Sequence, residues 1–74
     1  MAQEKRKRTQ LRVLIAERYA TQGQFAQAVG MWPQEVSDVL NGKRSVTERM
    51  VERWSSVLGI TQGMIGFYFF PDVQ

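Results

Sequence analysis

Glycine and proline positions divide this 74-residue chain into short segments. Gly30, Gly42 and Gly59 each follow a run of apolar residues at helical spacing. Glycine commonly ends a helix because it adopts the left-handed conformation at little cost. Pro33 suits the first position of a helix, where its missing N–H group is no loss. The chain is therefore expected to form several short helices.

The apolar periodicity predicts five helices. They are expected over roughly 9–20, from a Thr21 cap to Gly30, from Pro33 to Gly42, from a Ser45 cap to Gly59, and from Thr61 to about Phe67. Thr21 with Gln24, and Ser45 with Glu48, have the spacing of a capping box. Strand-like patterning is absent, with the terminal aromatic run as the one possible exception. The predicted fold is an all-α, compact bundle of about five short helices.

The composition excludes several classes of function. The chain has no cysteine and no histidine, so it has no disulfide, no thiolate metal site and no histidine general base. No paired carboxylates, phosphate loop or nucleophile pattern is present. We expect no catalytic residue, no metal and no cofactor, and the protein is not expected to be an enzyme. No membrane span or signal peptide is evident, which predicts a cytoplasmic protein.

The positive charge is concentrated at the N-terminus. The formal net charge is +3 and the pI about 9.8. Four basic residues lie in a predicted flexible arm over residues 1–8, namely Lys5, Arg6, Lys7 and Arg8. Residues 11–74 contain equal numbers of acidic and basic residues. Such an arm either binds nucleic acid or simply increases solubility, and the arm alone does not decide between the two.

The most informative motif is "QGQFAQAVGMWPQEVSDVLNG", residues 22–42. A helix-turn-helix unit needs a small residue where its helices cross, a glycine at the turn and apolar residues on both helices. Ala26, Gly30, Val36 and Val39 meet these needs at the usual offsets. The motif indicates a helix-turn-helix.

Here the chain closely resembles the Cro and lambda-repressor type of helix-turn-helix, the XRE-like family of phage and bacterial transcriptional regulators. The resemblance runs from about Leu11 to Phe67 and includes Gln22, "NGKR" after the third helix and "LGIT" after the fourth. It implies a DNA-binding domain over 9–67 whose third helix enters the major groove. The leading hypothesis is a stand-alone, sequence-specific repressor of the Cro kind, which is expected to bind a palindromic DNA operator as a homodimer, with no small-molecule ligand.

Three residues of the third helix are predicted to read bases: Gln34, Ser37 and Asp38. With Asn41 they form one polar face, which without the motif would be interpreted as a solvated surface. Gln34 has the chemistry to pair with an adenine edge, and Asp38 accepts from a cytosine amino group. Ser37 donates or accepts at several bases.

Five residues are predicted to contact the DNA backbone: Gln22, Trp32, Asn41, Lys43 and Arg44. Phosphate contacts fix the register of a protein on DNA without reading its sequence. For Trp32 the alternatives are a contact to DNA and a lid over the core. Glu35 is expected to face solvent or to pair with a neighbouring basic residue.

The aromatic run Phe67, Tyr68, Phe69 and Phe70 begins at the predicted boundary of a C-terminal tail, residues 68–74. So much apolar surface is rarely left exposed in a monomer. It is predicted to form the dimer contact; the alternative is a tail folded back on its own core. A second hypothesis for the whole chain is a protein-interaction module, such as an antitoxin-like partner. A restriction-modification controller would have a similar sequence.

Overall fold

Residues 7–70 are described by the computed structural model, and they form helices joined by short connections. In chain order the elements are α1 (Thr9–Arg18), α2 (Gln22–Val29), α3 (Pro33–Leu40), α4 (Glu48–Leu58), a 3₁₀ turn (Gln62–Met64) and α5 (Ile65–Phe69). No β-strand is present within residues 7–70. The predicted all-α fold is confirmed.

The ends of α2 follow from groups only a few residues apart in the chain. The Thr21 hydroxyl accepts a 3.1 Å hydrogen bond from the Gln24 main-chain N–H, which satisfies one of the unpaired donors at the helix start. The Gln24 side chain in turn accepts from the Ala20 N–H at 3.2 Å. Gly30 ends the helix with a φ of 72°, in the left-handed region. The Thr21 cap and the Gly30 stop agree with the sequence prediction, whereas the return bond of the predicted capping box goes to the Ala20 N–H and not to that of Thr21.

The start of α4 differs from the prediction. Thr47, and not Ser45, caps this helix, because the Thr47 hydroxyl accepts a 3.1 Å hydrogen bond from the Met50 N–H. The cap at Thr47 places Glu48 in the first turn, where the partial positive charge of the helix terminus favours a carboxylate. The predicted capping box of Ser45 and Glu48 is therefore wrong.

A line of aromatic rings runs through the core. Ring centroids are 5.5 Å apart for Tyr19 and Phe25, 4.8 Å for Phe25 and Trp54, and 6.2 Å for Trp54 and Phe69. The first two pairs are edge-to-face, a geometry that adds to the stability gained from burial, and the third pair is tilted. Aliphatic residues from four helices complete the buried core: Leu11, Leu14, Ile15, Ala26, Val29, Val36, Val39, Leu40 and Leu58. The line of rings connects α2 to α4 and α4 to α5.

The C-terminal aromatic segment is helical up to Phe69, so the possible strand over the aromatic run does not form there. Phe69 is fully buried, whereas Met64 and Phe67 are 41% and 50% exposed. Ile65, four residues before Phe69, also packs against the core. Residues four apart share one face of a helix, so Ile65 and Phe69 attach α5 to the bundle. Helical spacing in the sequence predicts Ile60, Met64 and Phe67 for this role, but of these three only Ile60 packs against the core.

Arg8 falls within the predicted N-terminal arm, but the structure ties it to the folded domain. Its main-chain N–H donates to the Leu40 carbonyl at 2.9 Å. Its guanidinium donates to the carbonyls of Val39 at 2.7 Å and Phe69 at 2.8 Å. These carbonyls lie in the last turns of α3 and α5, where a cation is favoured. The Val39 carbonyl also accepts from the Gly42 N–H at 3.1 Å. The other basic residues of the arm differ: Lys7 is exposed, and Lys5 and Arg6 lie outside the described residues.

Candidate nucleic-acid interface

The α2–α3 pair has the geometry of a helix-turn-helix. The Met31 N–H donates to the Ala26 carbonyl at 2.9 Å, which closes the turn after α2. Ala26 is buried, and its small side chain lets α3 approach α2 closely. Val36 and Val39 are fully buried on the inner face of α3. The opposite face of α3 is therefore held rigidly at the surface.

Gln34 and Asp38 lie one turn apart on this outer face and contact each other. The Gln34 side-chain nitrogen donates a 3.0 Å hydrogen bond to an Asp38 carboxylate oxygen. Only the amide nitrogen has a hydrogen to give to a carboxylate, so the bond fixes which way the carboxamide faces. The Gln34 carbonyl oxygen and its second amide hydrogen are not used in this bond. Those two groups match the donor and acceptor on the major-groove edge of adenine.

Asn41 and Ser37 form a second polar pair, which is anchored from α1. Arg12 donates a 2.7 Å hydrogen bond to the Asn41 side-chain oxygen. The Asn41 nitrogen lies 3.4 Å from the Ser37 hydroxyl, to which it donates. Because the Asn41 side-chain oxygen accepts from Arg12, the N–H groups of the Asn41 side chain face away from Arg12. Sequence analysis missed Arg12, which is 29 positions from Asn41 and carries no local signal.

Glu35 has its partners within the motif. Its carboxylate accepts a 3.0 Å hydrogen bond from the Trp32 main-chain N–H, at the start of α3. Its other oxygen lies 3.7 Å from the Arg44 guanidinium. The prediction that Glu35 pairs with a neighbouring basic residue is confirmed. Exposed ion pairs at such distances contribute about 0–1 kcal/mol, so Arg44 loses little by turning to a phosphate.

Trp32 projects into solvent from the turn between the helices. It is 75% exposed, so the alternative in which its ring covers the core is wrong. With Thr21, Gly23 and Gln24 it lines a shallow groove between the start of α2 and the α2–α3 turn. The groove places Trp32 beside the N-terminus of α2, at which Gln22 is the first residue.

The loop after α3 positions the remaining basic side chains. The Lys43 N–H donates to the Asp38 carbonyl at 2.8 Å, and Gly42 has a φ of 77°. This left-handed cap turns the chain sharply at the end of α3. The side chains of Lys43 and Arg44 are exposed. Two basic side chains therefore lie next to the polar face that ends at Asn41.

A comparison with known protein families matches residues 8–65 to the helix-turn-helix domain. The chain belongs to this helix-turn-helix family. The matched region extends from the start of α1 to the first residue of α5, so it contains the whole α2–α3 unit and the polar face of α3. Comparisons with curated proteins and with solved structures gave no match.

Membership of the helix-turn-helix family indicates a DNA-binding regulator. Other kinds of site find no support in the described part of the chain. None of its helices is both long and apolar enough to cross a membrane. Residues 7–70 contain no cluster of three or more acidic side chains that could hold a metal ion.

Proposed function

We propose that this helix-turn-helix protein is a sequence-specific repressor of the Cro kind, which binds a palindromic operator in double-stranded DNA as a homodimer. The observation that carries the proposal is the ordered polar face of α3. Gln34 and Asp38 are joined by a hydrogen bond, and Asn41 is held by Arg12. Side chains fixed before binding lose less conformational entropy when they contact a ligand.

Base reading is assigned to the outer face of α3. Gln34, which is exposed in the first turn, pairs with an adenine edge. Asp38 accepts from a cytosine amino group, and it also disfavours any register that would bring a phosphate against α3. Ser37 contributes a hydroxyl that contacts a base edge alongside Gln34 and Asp38.

Backbone contacts are assigned to the residues around α3. Arg44 and Lys43 are exposed next to the end of α3 and reach the phosphates as cations. Asn41 donates through its side-chain nitrogen, because its oxygen accepts from Arg12. Gln22 and Trp32 contact the phosphates from the start of α2 and from the turn. These groups set the register of α3 in the groove.

The homodimer is assigned to the exposed aromatic surface, defined by Phe67 and Phe70. They are 50% and 37% exposed, and Met64 nearby is 41% exposed. A two-fold dimer buries the same surface on both copies. It also lets two α3 helices read half-sites about 34 Å apart. Phe69 is excluded from this surface because it is buried in its own core, and Tyr68 contributes only through its exposed part.

The same aromatic surface favours one competing function, a module that binds another protein. Fluorescence anisotropy at low salt with random duplex DNA, followed by selection of a preferred site, separates the two. Repression requires tight binding to one selected palindrome over random DNA, by about 10³-fold or more. Absence of DNA binding at low salt would favour the protein-interaction module. If the protein activated as well as repressed transcription from the selected site, it would be a controller protein.

A further inference from the structure

Arg8 joins three parts of the domain at one point. Its Nε donates a 2.8 Å hydrogen bond to the carbonyl of Phe69, the last residue of α5. Its Nη1 donates at 2.7 Å to the carbonyl of Val39, near the end of α3. The same nitrogen also donates, at 3.3 Å, to the carbonyl of Arg44 in the loop that follows. One guanidinium therefore connects the recognition helix, its loop and the aromatic segment.

Helices α3 and α5 do not pack directly against each other in residues 7–70, although α1 packs against both. Arg8, at the start of α1, lies where the two C-termini come together. Both of its helical partners are firmly placed, because the side chains of Val39 and Phe69 are fully buried. The guanidinium is a rigid planar fork, so bonds to two fixed carbonyls restrict how these helix ends can rotate relative to each other.

We propose that Arg8 is a positioning residue for operator reading, which fixes the orientation of α3 relative to the aromatic surface on α5. The inference rests on the proposed function, since the aromatic surface sets how two copies meet and α3 reads the DNA. A change in the angle between α3 and the aromatic surface would change the spacing of the two α3 helices in the dimer. Arg8 thereby makes the dimer selective for the spacing of half-sites as well as for their sequence.

The test uses the full chain and the selected operator, with versions whose half-sites are one base pair closer or farther apart. One base pair shifts a half-site by about 3.4 Å and rotates it by about 35°. Arg8→Lys retains the charge but not the fork, and Arg8→Gln removes both. Arg49→Gln is the matched control, because Arg49 is exposed on α4 and its loss changes the net charge equally. Thermal melts establish a temperature at which every variant is folded.

Wild type and Arg49→Gln should bind the native spacing best. In both Arg8 variants the preference for the native spacing over the altered spacings should fall roughly tenfold, which is about the effect of one mismatched base pair. The base preference within each half-site should stay unchanged. Residual dipolar couplings of the free protein should show a changed angle between α3 and α5 in Arg8→Lys, a readout that does not need DNA.

Two results would overturn the inference. One is a folded Arg8→Lys protein that keeps the wild-type preference for half-site spacing and the wild-type angle between α3 and α5. The other is a uniform loss of affinity at every spacing in Arg8→Gln, with the salt slope reduced by about 0.9, which would make Arg8 a phosphate contact instead. A wild type that binds no DNA would contradict the proposed function and, with it, the operator-reading role of Arg8. The angle between α3 and α5 in the free Arg8→Lys protein would then still test whether Arg8 sets that orientation.

Discussion

The side chains of Gln34 and Asp38 form one unit on the surface of α3, joined by a 3.0 Å hydrogen bond. The two residues that we propose to read bases are therefore not independent. Loss of either one frees the other to adopt new rotamers. Residues in direct contact show interaction energies of about 0.5–3 kcal/mol in double-mutant cycles.

We expect Gln34→Ala and Asp38→Ala each to cost about 1–3 kcal/mol of operator binding and to relax preference at one base position. The double variant should cost less than the sum of the two single variants. Anisotropy titrations with the operator and its single-base variants measure both effects. Lys43→Ala is the control, which should weaken binding to all sequences about equally. Strict additivity, with wild-type preference at every base, would contradict the assignment of this face.

The basic arm should govern the salt dependence of binding. Deletion of residues 1–6 removes Lys5 and Arg6 while it leaves Arg8 in place. We expect the slope of log K against log salt to flatten by up to about 0.9 for each phosphate that the shortened arm no longer neutralises. The double variant Lys5→Gln, Arg6→Gln should reproduce the flattening without shortening the chain. An unchanged slope in both proteins would reduce the arm to a solubility segment.

The exposed aromatic surface should control the oligomeric state. Phe67→Ser with Phe70→Ser should convert a dimer into a monomer, because both side chains are exposed and their removal takes away the apolar area that the two copies would bury. Sedimentation at tens of micromolar protein, with and without operator, measures the change. Without operator, Trp32→Ser is the matched control, since it removes an exposed aromatic ring far from α5 in the chain. If the wild type were already monomeric in both conditions, this surface would have another role.

The cap of α4 offers a test of local structure. Thr47→Ala should lower the free energy of unfolding by about 1 kcal/mol, because the Met50 N–H loses its acceptor. Ser45→Ala removes an exposed hydroxyl that caps no helix, and should change stability by less than about 0.5 kcal/mol. Urea unfolding of the two variants compares them directly. A larger loss from Ser45→Ala would place the helix start at Ser45 after all.

The sequence by itself determined the features that depend on neighbours within about one helical turn. The Thr21 cap, the Gly30 stop and the Pro33 start involve atoms only a few residues apart, so residue types at a given spacing predict them. The helix-turn-helix was equally predictable, because its turn and its buried face lie within residues 22–42. Ser45 and Thr47 are both possible caps for α4, and the sequence pattern alone predicted Ser45, which is wrong.

Only the tertiary structure decided which residues meet across the bundle. Arg8 and Phe69 are 61 positions apart in the chain. Whether Arg8 belongs to the arm or donates to carbonyls at the C-terminal ends of α3 and α5 depends on where the fold places those two helix ends. The aromatic run shows the same limit. Phe67 and Phe69 have the same side chain, yet one is half exposed and the other is fully buried. The difference follows from how α5 is rotated when it packs on α1 and α4, because burial is set by the face that a short helix turns inward.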